Sequence, residues 1–301
     1  MKVAITTSSF AKFSDEPLRL LREAGMEYVQ NPTGRAITED EAIELLQGCI
    51  AVAAGTEPLT RRVMQALPEL KVISRCGTGM DSVDRTAAAE LGIAVRNTPD
   101  APTQAVAELT LGYALDLMRL VSRMDRELRA GTWKKRMGNL LAGKKVGLIG
   151  FGRIGRATGK LFEAFGCEVA FADPFAESDT NAKMEVDALL AWADIVSLHC
   201  SKPEGGGYIL DERRLGLMRP GTWVINAARG GLIDEAALHA LLASGHLAGA
   251  ALDVFVKEPY EGPLRDLPNV ILTPHVGSYA VEARVKMETD TIRNLLDALP
   301  K

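Results

Sequence analysis

Apolar runs a few residues long alternate along this chain with segments whose apolar positions recur every three or four residues, the signatures of strand and helix in turn. Runs at 3–5, 50–53, 72–74 and 93–95, with a further strand near Tyr28, predict one group of strands. Those at 146–149, 168–172, 194–198, 223–225, 249–253 and 270–272 predict a second group. Most of these runs are almost uninterrupted in hydrophobicity, as strands buried on both faces of a parallel sheet must be. Helices are expected from near Ser14 and Pro17, from Thr38 to about Gln47, near Asp187, over 234–242 and from Val281 onward. Thr38 and Glu41 have capping-box spacing. Residues 102–129 carry Val106, Leu109, Tyr113, Leu117, Leu120, Met124 and Leu128 on one stripe. That predicts a single long helix, stopped by Gly131, facing a core or another subunit and long enough to cross between two domains. The predicted class is α/β, with two doubly wound parallel-sheet domains.

The densest signal is the stretch KVGLIGFGRIGRATGKLFEAFGCEVAFAD, from Lys145 to Asp173. Gly150, Gly152 and Gly155 follow a strand in G-x-G-x-x-G spacing: the first permits a tight turn, the second lets backbone approach a pyrophosphate, and the third lets helix pack on strand. The phosphates are expected on the N–H groups that open the helix, near Arg153 and Ile154. Leu161, Phe162 and Phe165 predict the apolar face of that helix and Gly166 its end. Asp173 closes the next strand 18 residues past the last glycine, where a carboxylate accepts from a ribose 2′-OH. Such an acid repels a 2′-phosphate, so NAD is expected in preference to NADP.

Composition narrows the partners. At 301 residues the chain has room for two cores, and 35 basic against 39 acidic side chains leave a net charge of −4 with no basic block. Nucleic acid is therefore not an expected partner. No stretch has the length and hydrophobicity of a membrane span or signal segment, which predicts a cytoplasmic protein. Cys49, Cys76, Cys167 and Cys200 are scattered and form no C-x-x-C pair, which suits reduced thiols and predicts no metal site. Four histidines, His199, His239, His246 and His275, are the whole supply of imidazole.

The residues with chemistry fall just past predicted strand ends, where open parallel sheets bind ligands. His199 and Cys200 follow one strand, Arg229 the next, Asp253 and Glu258 a third and His275 the fourth. Hydride exchange with a carbonyl requires a proton for the oxygen and a cation to orient it. His275 is the expected acid, Glu258 a carboxylate able to fix its tautomer and raise its pKa, and Arg229 a forked donor for a 2-oxo acid. Pro259 is expected to hold Glu258 in extended backbone. His199 is expected to pack near the cofactor, and His239 and His246 to be structural. Earlier, VISRCGTGMDSVD runs from a strand into a loop with Gly77 and Gly79, which is either an anion-binding concavity assisted by Arg75 or a plain turn.

These stretches, with NTPDAPTQAVAELTLGYAL, NAARGGLIDEAAL, ALDVFVKEP and TPHVGSYA in that order, resemble the NAD-dependent D-isomer-specific 2-hydroxyacid dehydrogenases over nearly the whole chain. The resemblance implies a flavodoxin-like substrate domain at 1–98 and 277–301 and a Rossmann cofactor domain at 99–276. It implies Arg229, Glu258 and His275 as the catalytic set, with Arg75, Cys76, Gly77, Thr78, Gly79 and Arg229 at the substrate. Gly150, Gly152, Arg153, Ile154, Gly155, Asp173, His199, Cys200, Ala227, Arg229, Asp253, His275 and Gly277 would line NAD. A homodimer through the cofactor domains is implied as well.

Within the family, short phosphoglycerate dehydrogenases are most similar, with two departures. Ala53-Ala54-Gly55 stands where many of them carry an arginine, and Leu140 replaces an acid before the fingerprint. The rival expectation is an NAD(H)-binding sensor like the corepressors that resemble these dehydrogenases, although the chain lacks the disordered extensions such proteins add.

Overall fold

The computed structural model describes residues 1–203 and 205–299. The chain divides into two compact units, Met1–Thr103 with the segment from Ser278 onward, and Gln104–Gly277.

The first unit holds strands β1 (Lys2–Ile5), β2 (Glu27–Gln30), β3 (Ala51–Ala54), β4 (Val72–Arg75) and β5 (Ala94–Asn97) in the order β2-β1-β3-β4-β5. All pairings are parallel. This is the flavodoxin-like order. Helices α1 (Glu16–Glu23), α2 (Glu39–Leu45), α3 (Arg61–Gln65) and α4 (Arg85–Glu90) join the strands. The expected capping box is present: Thr38 Oγ1 accepts from Glu41 N, and Glu41 Oε2 accepts from Thr38 N at 2.8 Å. The C-terminal helix, Val281–Ala298, buries Ile292 and Leu295 against Val3, Ile5, Leu21 and Val72, so it belongs to this unit's core.

The second unit opens with α5 (Thr103–Arg119) and α6 (Val121–Arg129). It continues through β6 (Lys145–Ile149), α7 (Arg153–Ala164), β7 (Glu168–Ala172), β8 (Ala182–Lys183), α8 (Val186–Trp192) and β9 (Ile195–Leu198). Then come α9 (Glu212–Gly216), β10 (Trp223–Asn226), α10 (Glu235–Ala243), β11 (Gly249–Leu252) and β12 (Val270–Leu272). The strand order is β12-β11-β10-β9-β6-β7-β8, all parallel, a doubly wound dinucleotide-binding order with an added edge strand. Its order reverses between β6 and β9, and there His199 N donates to Ile149 O at 2.7 Å.

Several expectations are corrected. The single helix over 102–129 breaks at Leu120, which has φ +57°, and the Asp116 carboxylate accepts from Ser122 N and Ser122 Oγ to open the second helix. Leu128 is accordingly exposed and does not extend the core stripe. Phe165 lies past the end of α7 and is also exposed, leaving Phe162 as the buried anchor. The units divide at 103/104 and 277/278 where 98/99 and 276/277 were expected; Gly277 stays with the second unit because its N–H donates to Asp253 Oδ2 at 2.7 Å. Finally α3, α4, α9 and β8 carried no expectation, being too short to display a period.

Candidate active site

The turn between β6 and α7 is built from glycines for separable reasons. Gly150 has φ +95°, and a Cβ there would lie 2.6 Å from the His199 carbonyl carbon; one on Gly155 would lie 2.2 Å from Gly150 O. These two are demanded by packing of the turn on itself and on β9. Gly152 differs: a Cβ there would meet nothing within 4 Å. It is also the N-cap of α7 and supplies no side-chain cap, so the N–H groups of the helix start face space that packing does not use. Open room beside a helix N-terminus fits a pyrophosphate.

Asp173 stands at the end of β7. Burial alone would raise its pKa, but its carboxylate accepts from Phe151 N at 2.7 Å, Phe175 N at 2.8 Å and Ala176 N at 2.9 Å, which hold it below the usual carboxylate range. The acid is therefore anionic and stitches the glycine turn to the exit of β7. On the other side of the reversal, burial holds His199 neutral by lowering its pKa to about 4, with Nε2 2.9 Å from Ser197 Oγ. Its Nδ1 has no hydrogen-bond partner among the described residues. Burial also raises the Cys200 thiol to about 11, so it is no nucleophile at neutral pH. Among the described residues no group of three His, Cys, Asp or Glu could hold a metal ion, and no helix is long and apolar enough to cross a membrane.

Past β10, Asn226 shapes the turn that carries Arg229: its Nδ2 donates to Arg229 O at 2.9 Å and its Oδ1 accepts from Ala228 N at 3.1 Å. A Cβ on Gly230 would lie 1.7 Å from Phe255 O, so only glycine lets this turn press against the segment leaving β11. That segment carries Glu258, whose Oε1 accepts from Phe255 N at 3.1 Å and whose Oε2 lies 2.9 Å from His275 Nδ1. The Glu258–Pro259 peptide is cis. Burial pushes Glu258 up, yet His275 and the Phe255 N–H more than offset this and hold it below the usual value. The Glu258 hydrogen bond raises His275, while the Arg229 guanidinium is close enough to pull it down. Arg229, Glu258 and His275 are thus one electrostatic cluster on three successive strand ends.

Asp253 is fully buried and saturated, accepting from Thr273 Oγ1 at 2.5 Å, Val276 N at 2.8 Å and Gly277 N at 2.7 Å. It braces the turn that follows His275. Gly277 packs beside it: a Cβ there would lie 3.2 Å from Asp253 Oδ2 and 4.0 Å from Ala227 O. His246, expected to be structural, has Nε2 2.9 Å from Met218 O. Tyr113, Asn226 and Thr273 were missed; the signal for Tyr113 was a phenol in an aliphatic stripe, since a buried Tyr hydroxyl needs a partner.

In the first unit the loop after β4 is pinned. Cys76 N donates to Ala54 O at 2.8 Å, Gly77 N to Thr98 Oγ1 at 2.9 Å, and Asn97 Nδ2 to Thr78 O at 2.8 Å. The expectation that the backbone of Cys76 and Gly77 grips an anion is corrected: those N–H groups serve the fold, leaving Thr78 and Gly79 as the loop's donors. The Arg75 guanidinium lies across Gly77, where a Cβ would come within 1.6 Å of Nη1. Beside it, Glu57 is buried, raised by burial and drawn back by the Thr6 hydroxyl at 2.5 Å, the Gly55 N–H and the Arg75 charge.

A glycine turn at a sheet reversal, with a Glu–His pair and a guanidinium past other strand ends of the same sheet, is the arrangement of a nicotinamide-nucleotide-binding protein of dehydrogenase type. Residues 111–277 match the family profile of the D-isomer specific 2-hydroxyacid dehydrogenase NAD binding domain, and the chain belongs to that family. It is 37% identical over 281 residues to a D-3-phosphoglycerate dehydrogenase of Methanocaldococcus jannaschii, a match covering 90% of this chain and 53% of that protein. The chain thus spans about half the length of that relative. A hydroxypyruvate reductase of Thermotoga maritima is 35% identical, over 89% of this chain and 90% of its own. The solved TT0316 protein of Thermus thermophilus superposes with a TM-score of 0.92 at 35% identity, covering 99% of this chain and 96% of that one.

Proposed function

We propose that this protein is an NAD-dependent, D-specific dehydrogenase of a small 2-hydroxy acid, acting on the 2-oxo acid in the reductive direction. The observation that carries the reading is the Glu258–His275 pair at 2.9 Å beside Arg229, all past the carboxyl ends of the sheet that holds the glycine turn. Bound nicotinamide supplies the hydride. The protein's part is to polarise and orient the carbonyl with Arg229, to donate a proton from His275, and to keep that imidazole charged and correctly turned with Glu258. Thr78, Gly79 and Arg75 of the first unit are the proposed contacts for the substrate's anionic groups. The anionic Asp173 favours a free ribose hydroxyl and hence NAD over NADP.

An unphosphorylated substrate is favoured. β3 ends in the buried Ala53 and Ala54, which provide no cation for a phosphate, and Glu57 already shares the charge of Arg75. The hydroxypyruvate reductase relative is also matched over most of both chains, whereas the phosphoglycerate relative is matched over half of its own. Trp133, Met137 and Leu140 are 82%, 95% and 73% exposed in one stretch of the second unit, an apolar surface that supports a homodimer. Four free thiols suit a reducing cytoplasm.

The test is NADH oxidation with glyoxylate, hydroxypyruvate, phosphohydroxypyruvate and pyruvate. Turnover of hydroxypyruvate or glyoxylate is expected, and His275→Ala should lower kcat by about 10² to 10⁴. NADH binding with no turnover of any of the four would overturn the enzyme reading in favour of a sensor.

A further inference from the structure

Tyr113 departs from the aliphatic residues around it on α5. Its buried hydroxyl oxygen lies 2.5 Å from Thr273 Oγ1 and 3.4 Å from Asp253 Oδ1. The Thr273 hydroxyl has one hydrogen and donates it to Asp253 Oδ1 at 2.5 Å, so the short contact with Tyr113 has the phenol as donor. The chain of donation therefore runs from Tyr113 to Thr273 to Asp253. Asp253 in turn accepts from the N–H groups of Val276 and Gly277, the two residues that follow His275. His275 itself has φ +55°, a left-handed conformation that is costly for a non-glycine residue and persists only where its surroundings over-determine it.

We infer that Tyr113 is a positioning residue: by donating to Thr273 it orients the Asp253 carboxylate that clamps the backbone after His275, and so aims the imidazole. Glu258 restrains the ring of His275, and the Tyr113 chain restrains the peptide that bears it. Neither restraint substitutes for the other, because a ring held by one hydrogen bond on a mobile backbone still sweeps through several orientations. The inference rests on the reading of His275 as proton donor, and it adds a residue from a helix that touches the reaction only through others.

The experiment combines Tyr113→Phe, which removes only the hydroxyl, with Thr273→Val, Thr273→Ser and the Tyr113→Phe/Thr273→Val double variant. Tyr113→Phe should lower kcat about tenfold, with KM for the 2-oxo acid changed by less than about twofold, as expected for loss of alignment and not of binding. Thr273→Ser should retain most of the rate and Thr273→Val should not. The double variant should be no slower than the slower single variant, because both cut one chain. A wild-type kcat in Tyr113→Phe, or losses that multiply in the double variant, overturns the inference. Hydrogen exchange of the amides at Val276 and Gly277 reads the clamp without turnover: faster exchange in Tyr113→Phe at an unchanged Tm is expected, and unchanged exchange overturns it. Should His275→Ala retain activity while this exchange still accelerates, the proton-donor reading fails and the clamp stands.

Discussion

At the residue scale His275, the proposed proton donor, sits in a charge pair whose pH behaviour has a definite sign. Glu258 raises His275, so the imidazolium that reduction requires survives to higher pH than a free histidine would allow, and the rate of reduction should fall as pH rises through that raised pKa. Glu258→Gln removes the main cause of the shift. The alkaline limb of the kcat profile for reduction should then move to lower pH, and an unmoved limb would show that another group sets it. In stability, the His275 contribution is complete below its unfolded pKa of about 6.5 and is lost as pH rises through the folded value. The Glu258 contribution has the opposite sense, being lost as pH falls through that residue's lowered value. Both side chains are about half exposed, so neither contribution is large. His275, Glu258 and Arg229 were legible from sequence because strand ends mark where ligands bind. Tyr113 was not: its partner Thr273 lies 160 residues away, and a helical stripe records only that a position is apolar.

At the element scale, the glycine turn separates folding from binding. Gly152 has ordinary backbone angles and open space around it, so Gly152→Ala should leave stability within about 0.5 kcal/mol while blocking the approach of phosphate. Gly150→Ala combines positive φ with a backbone clash and should compromise folding. Thermal denaturation together with NADH titration checks both; equal NADH affinity in Gly152→Ala would remove the phosphate from that turn. Elements with a strong period or a cap, such as α2 with its capping box, were readable. The break at Leu120 was not, because the hydrophobic stripe runs through it and only the Asp116 side chain turning onto Ser122 ends the first helix.

At the scale of the whole molecule, the chain's end is tied to its beginning. Arg284 and Glu288 form an ion pair buried to 9% and 2% exposure, and Glu288 Oε2 also accepts from Ala11 N at 2.9 Å, across 277 residues. Glu288→Ala strands the Arg284 charge in the interior and should cost about 3 to 5 kcal/mol, read as a lowered midpoint in urea denaturation. A loss below about 1 kcal/mol would mean that water reaches the guanidinium. Sequence pattern indicated that a helix follows Val281; it could not show that Ser74 Oγ donates to Thr291 O at 2.7 Å and so seats that helix on β4.

What the sequence determined by itself was local and periodic: alternating strands and helices, a glycine spacing that suits a nucleotide turn, and a short supply of histidines that made His275 the candidate acid. Tertiary structure alone decided which backbone donors are consumed by the fold, that the Asp253 carboxylate braces a loop, and that a tyrosine on α5 reaches the turn after β12. The reason is physical. Propensity and hydrophobic period act over a few residues, whereas a hydrogen bond in the interior depends on which distant groups close packing brings within about 3 Å of one another, and no local pattern encodes that.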